Sequence, residues 1–406
     1  MSKAVQLLVK EGKRQAETID LIPSENIASR RVQDALASYF TNKYAEGYPG
    51  KRYYPGNVMA DELELYAQNL ARKIFGLTKR WHVNVQPYSG SPANIAVYFG
   101  LLNFGDTIMG MALSHGGHLT HGHKVNFSGR AYRTIQYGVG PYTGRIDYDE
   151  LERLAKKYRP KLIVSGATAY PRKIDFARIG DIAKNVKALH LADISHIAGL
   201  VVAKLHPSPF PHADVITTTT HKTLRGPRAA IILCKKEYKD AIDKAVFPGL
   251  QGGPHLNTIA AIAVAFEEAI RPSFRHYQQQ VLKNAKTLAR ELIKEGFQLL
   301  SDGTDNHLLL ANVKASGIDA SWAEGVLEQA GILANRNTVP GDASPFRPSG
   351  IRMGTPSVTS RGMREQEMRT IAVCIAQLLR KHKTPLEICG KVKKLCKRFP
   401  IPEIYR

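Results

Sequence analysis

Cysteine and acidic side chains are scarce in this chain of 406 residues, and long apolar runs are missing. Its four cysteines are scattered without a Cys-x-x-Cys pair, which argues against a disulfide-stapled scaffold and against a zinc ribbon. No run approaches the ~18 apolar residues of a membrane-spanning helix, and residues 1–5 do not resemble a secretory leader. These absences predict a cytoplasmic protein with reduced thiols, no metal site and no membrane contact.

The charge balance favours a different class of function. Lys and Arg together number 57 against 35 for Asp and Glu, which gives a formal net charge of +22. Such an excess suits a nucleic-acid-binding protein. The basic residues are nevertheless spread along the chain, with one concentration in residues 380–398, and no RNA-binding motif with interleaved aromatics accompanies them. Nucleic-acid binding is therefore a secondary hypothesis and not the expected main role.

The pattern of apolar residues predicts an α/β protein with more than one domain. Strand-like runs such as residues 162–164 alternate with helical segments such as residues 149–157, which is typical of a mostly parallel sheet flanked by helices. A helix is expected between a cap at Asp61 and a terminating Gly76. The sequence predicts an N-terminal arm with helices (1–45), a large domain (46–272) and a smaller C-terminal α+β domain (273–406).

One lysine stands out because of its surroundings. Lys222 follows a run of four threonines and His221, between apolar segments at residues 213–216 and 229–233 that read as strands. Desolvation and a basic neighbour both favour the free amine, which is the reactive form of a Schiff-base lysine. Taken alone, Lys222 would be expected on a solvated loop, because lysine is rarely buried without a partner.

Two further segments change that expectation. Asp193 ends an apolar strand at residues 189–193, where open α/β sheets bind ligands, and a carboxylate there can keep a pyridine nitrogen protonated. The turn Ser89-Gly90-Ser91, with Ser91 as the expected N-cap and Pro92 at the first helical position, suits a phosphate group. Each alone is equally compatible with helix capping. In this chain order, with Lys222, they predict a site for pyridoxal phosphate.

At this point the sequence resembles the serine hydroxymethyltransferase family, pyridoxal-phosphate enzymes of the aspartate aminotransferase-like fold type I. The resemblance extends over nearly the whole chain, in residues 22–26, 44–54, 84–94, 115–122, 193–200, 217–228, 247–254 and 349–356. It implies reversible transfer of the serine hydroxymethyl group to tetrahydrofolate through a pyridoxal-phosphate aldimine, giving glycine and 5,10-methylenetetrahydrofolate. It also implies a homodimer with shared active sites, or a tetramer.

The same resemblance implies roles around the cofactor. Lys222 would carry pyridoxal 5'-phosphate as a Schiff base, Asp193 would pair with the ring nitrogen, and His118 would stack on the ring. The other residues assigned to the cofactor are His196 and Thr168 near the ring hydroxyl, Ser89, Gly90 and Ser91 at the phosphate, Tyr44, and Gly252 and Gly253 from a neighbouring subunit.

Substrate roles are implied in the same way. Arg352 is expected to clamp the serine carboxylate, because its planar fork matches a carboxylate as a lysine cannot. Glu46 matches the family's acid/base residue at the serine hydroxyl. The remaining residues implied near serine are Ser24, Tyr54 and His196, with His221 influencing which substrates react. Those implied for folate are Leu113, Gly117, His118, Leu119, Asn337, Ser344, Pro345 and Phe346.

Several positions depart from the family pattern. Ala229-Ala230 replaces a common Gly-Gly, and a positive φ there would cost alanine about 1 kcal/mol or more. Residues 254–257 and 347–348 also differ, at the implied subunit contact and folate entrance. The alternative function is a folate-independent aldolase acting on threonine-type substrates. Glu46 and the folate-contact segments favour the transferase.

Overall fold

The chain of this computed structural model divides into two units, each with its own hydrophobic core. The sheet unit comprises residues 28–168 and 173–275, and the terminal unit comprises residues 1–27, 169–172 and the chain from His276 onward. The structure describes residues 1–342, 344 and 347–402. Pro345 and Phe346, both assigned to folate binding by the sequence, lie outside the described residues.

The described residues form helices and strands in alternation through most of the chain. The helices are α1 (Lys3–Glu17), α2 (Arg30–Leu36), α3 (Val58–Phe75), α4 (Gly90–Leu101), α5 (Phe127–Ala131), α6 (Tyr148–Tyr158), α7 (Phe176–Asn185), α8 (Ala198–Val202), α9 (Lys239–Lys244), α10 (Leu256–Ile270), α11 (Pro272–Lys294), α12 (Ala320–Gln329), α13 (Pro356–Ser360), α14 (Glu365–Leu379) and α15 (Pro385–Arg398). The strands are β1 (Ile19–Asp20), β2 (Gly47–Tyr48), β3 (Lys51–Arg52), β4 (Trp81–Asn84), β5 (Thr107–Met111), β6 (Arg133–Tyr137), β7 (Leu162–Ser165), β8 (Leu189–Asp193), β9 (Val215–Thr219), β10 (Ala230–Lys235), β11 (Leu308–Asn312), β12 (Ile332–Leu333), β13 (Asn335–Asn337) and β14 (Gly350–Gly354).

A seven-stranded sheet organises the sheet unit, in the order β4-β10-β9-β8-β7-β5-β6. Strands β5 to β9 pair in parallel, and only β10 runs antiparallel to its two neighbours. The central strands are buried along nearly their whole length, as expected for a sheet covered on both faces. Their carboxyl ends therefore meet at one edge, and Asp193 ends β8 beside Thr217 of β9.

Two helix starts differ from the sequence prediction. Helix α3 has Asn57 at its N-cap and ends in left-handed Gly76 (φ 65°), so the predicted stop is confirmed and the predicted cap at Asp61 is wrong. Asp61 instead accepts hydrogen bonds from Arg52 Nε and Gly50 N, both at 2.8 Å. Helix α4 starts one position before Ser91, with Ser89 at the N-cap. Asp61 therefore does not cap the helix, because its carboxylate binds Arg52 and Gly50 of the preceding hairpin instead.

An antiparallel sheet in the order β11-β14-β13 organises the terminal unit, and β1 pairs in parallel with β12. Apolar residues of α11, α12, α14 and α15 pack with these strands into one core. The α+β character predicted for this region is confirmed. None of the described helices is both long enough and apolar enough to cross a bilayer.

Candidate active site

A buried carboxylate at the carboxyl end of β8 lies at the centre of a polar network. Asp193 Oδ2 accepts hydrogen bonds from Asn94 Nδ2 (2.9 Å) and His121 Nε2 (3.2 Å). Asp193 Oδ1 accepts from the backbone N (3.0 Å) and hydroxyl (2.6 Å) of Ser195. Thr217 of the neighbouring strand fixes Asn94 by donating to its Oδ1 at 2.6 Å. The strand end, helix α4 and the turn after β5 thus converge on one carboxyl group.

The same network sets the charge of that carboxyl group. Burial by itself would raise the pKa of Asp193. The hydrogen bond and positive charge of His121, the charge of His118 and the Ser195 hydroxyl outweigh burial and hold the pKa well below its usual range. Asp193 is therefore ionised at neutral pH, which is the state that can hold a proton on a pyridine nitrogen.

Sequence reasoning missed the side chains that hold Asp193. Asn94 and His121 fall inside segments that carried the family resemblance, but neither received a role. Thr120 joins the network through Asn94 Nδ2 (2.8 Å) and His118 Nδ1 (2.7 Å). The sequence signal that could have indicated this role of His121 is its spacing of three residues from His118, because the two histidines lie at the N-cap and at the end of one short 3₁₀ turn.

The start of helix α4 matches the predicted phosphate site. Gly90 is the first helical residue, and a Cβ added there would lie 2.8 Å from Thr219 Cγ2, so only glycine allows this approach to β9. A helix start presents free backbone N–H groups and the positive end of the helix dipole. Ser89 and Ser91 flank the glycine with hydroxyls. An anionic phosphate group fits this donor set.

Lys222 lies on a turn between β9 and β10 that is fixed on both sides. The backbone of Gly226 donates to Thr220 O (2.8 Å), which closes the turn around the lysine. Thr223 Oγ1 donates to His196 O (3.0 Å), which ties the lysine turn to the segment after Asp193. Lys222 and His196 are both buried, so the predicted desolvation of the lysine and its place between two strands are confirmed.

His221 does not supply the positive charge that the sequence suggested beside Lys222. Burial, with the nearby charges of Lys222 and Arg228, lowers the pKa of His221 to about 3, so its ring is neutral at neutral pH. Its Nδ1 is buried and has no hydrogen-bond partner among the described residues. An unsatisfied buried polar atom beside the lysine is consistent with a site that receives a further polar group.

Several residues implied for the cofactor ring and for folate lie on two short turns after β5 and on the segment after β7. Thr168 Oγ1 donates to Gly117 O at 2.8 Å. A Cβ at Gly117 would lie 2.0 Å from Met111 O, so no side chain fits there. Leu113 starts one 3₁₀ turn and the exposed Leu119 starts the next. Gly117 lies in the chain between these two turns.

Ala229 and Ala230, the main departure from the family pattern, are accommodated without backbone strain. Neither belongs to the described residues with a positive φ, and both are buried. Ala230 begins β10 and pairs with Thr219. The extended backbone that a strand requires suits alanine as well as glycine.

The acid/base glutamate implied by the family lies in a separate and more exposed cluster. Tyr44 hydroxyl donates to Glu46 Oε1 at 3.0 Å, and the rings of Tyr44 and Tyr54 contact edge to face at 4.9 Å. A Cβ at Gly252 would lie 3.4 Å from Glu46 Oε1, and one at Gly253 would lie 3.4 Å from the Tyr44 ring. Glu46, Tyr44, Tyr54 and the two glycines therefore form one cluster within one chain.

The predicted carboxylate clamp lies in the terminal unit. Arg352 is the middle residue of β14, is 8% exposed, and donates from Nε to Asn335 Oδ1 at 3.1 Å. Burial lowers its pKa to about 10, which still leaves the guanidinium charged. Ser24 follows β1 in the same unit, where Leu21 O accepts from Gly354 N at 2.7 Å. This bond holds the Ser24 segment against the strand of Arg352.

Of the folate residues that the structure describes in the terminal unit, Asn337 ends β13 and Ser344 follows that strand in the chain. Asn335 Nδ2 lies 3.3 Å from Asn337 Oδ1, so Asn335 contacts both the carboxylate clamp and a predicted folate residue. Asp342 Oδ2 accepts from Val339 N and Ser349 N, both at 2.9 Å, and closes the loop that contains Ser344.

Together, the sheet, the phosphate turn, the ionised carboxylate and the buried lysine define a pyridoxal-phosphate enzyme of fold type I. A family model described as serine hydroxymethyltransferase matches residues 2–375. A serine hydroxymethyltransferase from Koribacter versatilis (strain Ellin345) is 52% identical over 401 residues, which cover 98% of this chain and 93% of the relative. The chain belongs to the serine hydroxymethyltransferase family, and both the predicted fold class and the resemblance are confirmed.

Proposed function

We propose that this protein interconverts serine and glycine, with transfer of the serine hydroxymethyl carbon to tetrahydrofolate. Family membership supports this activity and a place in one-carbon and amino-acid metabolism. The observation that carries the proposal to this chain is the buried, ionised Asp193 on the strand next to the one that leads into Lys222. The sheet unit is then the cofactor-binding domain.

Pyridoxal phosphate fits the residues of the sheet unit. We assign the phosphate to Ser89, Gly90 and Ser91, the ring nitrogen to Asp193, and the covalent attachment to Lys222 Nζ. His118, His196 and Thr168 are assigned to the ring and its hydroxyl. When bound, the cofactor supplies an electron sink for the bond that breaks at the amino acid Cα. The chain itself keeps Asp193 charged and keeps the lysine turn rigid.

The substrate is held and its proton moved by other side chains. We assign the serine carboxylate to Arg352, and we assign Ser24 and Tyr54 to binding of the same substrate. Glu46 takes the proton from the serine hydroxyl as the Cα–Cβ bond breaks, and a carboxyl group so placed contributes typically 10²–10⁴-fold to rate. His221, neutral because of burial, can contact a substrate without adding charge. Tetrahydrofolate is assigned to Leu113, Gly117, Leu119 and Asn337, together with Ser344, Pro345 and Phe346.

We propose further that the active enzyme is at least a homodimer. The segment from residue 39 to residue 66 exposes an unusual number of large apolar side chains, with Tyr39 at 93%, Tyr53 at 74% and Val58 at 68%. In helix α1 (Lys3–Glu17), all of which the structure describes, no residue is buried. Exposed apolar surface of this extent marks an interaction surface. A second copy would also bring Glu46, Tyr44 and the two glycines to a neighbouring cofactor.

The basic C-terminal helix adds no nucleic-acid function to this proposal. Part of its charge is balanced within the terminal unit, by Lys383 with Glu387 at 2.7 Å and by Lys393 with Glu17 at 3.1 Å. A surface of paired charges is typical of a solvated helix face. The cytoplasmic location inferred from the sequence stays a prediction.

A product assay tests the function against the aldolase alternative. The holoenzyme is incubated with serine labelled with ¹³C at Cβ, with and without tetrahydrofolate, and glycine and the labelled carbon are followed by NMR. We expect rapid glycine formation that needs the pterin, with the label in methylenetetrahydrofolate. Serine cleavage indifferent to the pterin, together with fast cleavage of threonine-type substrates, would establish the aldolase instead.

A further inference from the structure

One arginine holds the backbone on both sides of Glu46. Arg52 Nη1 donates to Ala45 O at 2.9 Å and to Gly47 O at 2.7 Å. Arg52 is also the register partner of Gly47 in the short hairpin of β2 and β3. Its guanidinium therefore binds the carbonyl oxygens of the two residues that flank the glutamate, without contacting the Glu46 carboxylate itself.

The rest of the guanidinium is fixed by two acids on helix α3. Arg52 Nε donates to Asp61 Oδ1 at 2.8 Å, and Nη2 donates to Glu64 Oε2 at 2.7 Å. The Arg52 side chain is only 4% exposed and that of Glu64 is fully buried. Gln86 Nε2 adds hydrogen bonds to Glu64 Oε1 and Gly47 O, both at 3.0 Å. A buried ion pair of this kind requires all of its partners.

The chain around Glu46 has little freedom to move away from this clamp. Gly47 has φ 96°, and a Cβ there would lie 2.3 Å from Lys51 O. Tyr53 N donates to Glu46 O at 3.1 Å. The Glu46 carboxylate, in contrast, receives its described hydrogen bond from the exposed Tyr44. The position of the carboxyl group is thus set mainly through its backbone.

We propose that Arg52, supported by Glu64 and Gln86, is a positioning residue that aligns Glu46 with the serine hydroxyl. The inference rests on the proposed acid/base role of Glu46. Only the planar fork of arginine can satisfy two carbonyls and two carboxylates at once, so lysine cannot replace it. A displacement of a catalytic group by about 1 Å can cost 10²-fold in rate, so the clamp affects catalysis as well as stability.

Two reactions of the same holoenzyme separate positioning from general damage. Serine cleavage requires proton transfer at a hydroxyl, whereas exchange of a glycine α-proton with solvent deuterium does not, because glycine lacks the hydroxyl. We would measure both by NMR for Arg52→Lys. Serine cleavage should fall roughly 10- to 100-fold at saturating serine, and glycine exchange should stay within about threefold, since it does not use Glu46.

The terminal unit offers a matched control. Arg361 is another buried arginine that donates to backbone carbonyls, with Nε to Phe399 O and Nη1 to Thr18 O, both at 2.7 Å. Arg361→Lys should lower thermal stability yet leave the ratio of serine cleavage to glycine exchange unchanged. Gln86→Met removes the Gln86 bonds to Gly47 O and Glu64 but keeps all bonds of Arg52, so it is a milder variant and keeps the test usable if Arg52→Lys does not fold.

Glu46→Gln distinguishes failure of this inference from failure of the proposed function. If Glu46→Gln abolishes serine cleavage while Arg52→Lys and Gln86→Met leave the ratio unchanged, the positioning role is wrong and Glu46 keeps its role. If Glu46→Gln itself cleaves serine normally, the acid/base assignment fails, and the positioning role fails with it. Equal losses in both reactions for Arg52→Lys and Gln86→Met would make Arg52 a purely structural residue.

Discussion

Two regions of the sheet unit carry the proposed chemistry, and they are built in opposite ways. Around Asp193 each carboxylate oxygen is held by two donors, and the residues involved are buried. In the segment from residue 39 to residue 66, the tyrosines of the Glu46 cluster are at the surface, with Tyr44 53% and Tyr54 44% exposed. One chain by itself fixes the carboxylate assigned to the cofactor ring, whereas it leaves its acid/base cluster exposed.

The difference follows from what each group has to do. A carboxylate that keeps a ring nitrogen protonated must stay charged in a buried place, which requires fixed donors from the same chain. A carboxyl group that moves a proton must reach substrate, and here only its backbone is fixed, by Arg52. If a partner chain covers the second region, the two halves of the chemistry assemble only in the oligomer.

The largest effect on turnover should come from a substitution of Asp193 in the first region. Asp193→Asn keeps the size of the side chain but removes its charge. We expect turnover to fall roughly 10³-fold, since a facing charge shifts a pKa by 1–3 units and a hydrogen bond to a charged group is worth about 1.5–3 kcal/mol. Cofactor affinity, measured by titration of the apoenzyme, should fall as well.

Asp319→Asn provides the matched control for this change. Asp319 caps α12 by accepting from Trp322 N at 2.8 Å, and asparagine caps helices equally well. This variant should keep normal turnover and cofactor affinity. Normal turnover in Asp193→Asn would contradict the assignment of Asp193 to the ring nitrogen.

Substitutions in the exposed 39–66 segment should dissociate the proposed dimer and so separate the acid/base cluster of one chain from the cofactor pocket of the other. Tyr39→Glu combined with Met59→Glu places charges on exposed apolar positions, and interface anchors are worth about 2 kcal/mol or more each, so dimer affinity should fall about 10²-fold or more. We expect turnover per chain to depend on protein concentration, and sedimentation equilibrium to show dissociation. Tyr142→Glu changes an equally exposed tyrosine elsewhere. If Tyr142→Glu weakens the dimer as much as the Tyr39→Glu and Met59→Glu pair does, the 39–66 segment is not the dimer contact.

The sequence predicted the first region better than the second, for a physical reason. Asp193 and Lys222 follow strands, and strand ends of a parallel sheet converge, so chain order alone indicated the cofactor site. The N-cap of α3 was placed wrongly because Asp61 looks like a cap and its long-range partner Arg52 lies outside any local pattern. Likewise, only the fold shows that His221 is neutral, because burial determines its pKa.

Roles that depend on convergence of distant segments were accessible only through family resemblance. No periodicity in the sequence connects Glu46 with Gly252, or Asn94 with Asp193, which lie 99 positions apart. Apolar periodicity indicated the α/β class and individual elements such as β7, β8 and α6, because burial on one face repeats along each element. Polar networks have no such repeat, since their members come from different elements.

A smaller effect is expected from a change of Arg352 in the terminal unit, which should weaken serine binding more than it slows the chemical step. Arg352→Lys keeps the positive charge but loses the bidentate fork. The KM for serine should rise about 10- to 100-fold, in line with about 1.5–3 kcal/mol for a charge-assisted bond, and kcat should change less. Steady-state kinetics with the Arg361→Lys control would test this. An unchanged KM would show that another group binds the serine carboxylate.

The smallest effect on activity should come from His190, a buried polar residue of β8 without a proposed role. Its ring lies 2.7 Å from Ser165 Oγ, and its Nδ1 donates to His212 O at 3.1 Å. Burial lowers the pKa of His190 to about 4, against about 6.5 for an unfolded histidine. Between these values the unfolded chain binds a proton that the folded chain does not. Folding stability therefore decreases as pH falls through this range.

The expected loss from this residue is about 2 kcal/mol between pH 6.5 and pH 5, at 1.36 kcal/mol for each pH unit. Urea unfolding at both pH values should show it in the wild type. His190→Asn should be less stable at pH 7 but should lack this share of the pH dependence. His212→Asn should retain it, because its backbone carbonyl still accepts from His190. Equal slopes in wild type and His190→Asn would show that other groups govern acid stability. Asp193 and His190 are both buried and lie three residues apart on β8. A large loss of turnover in one variant and a change only in stability in the other would show that burial alone does not define this site.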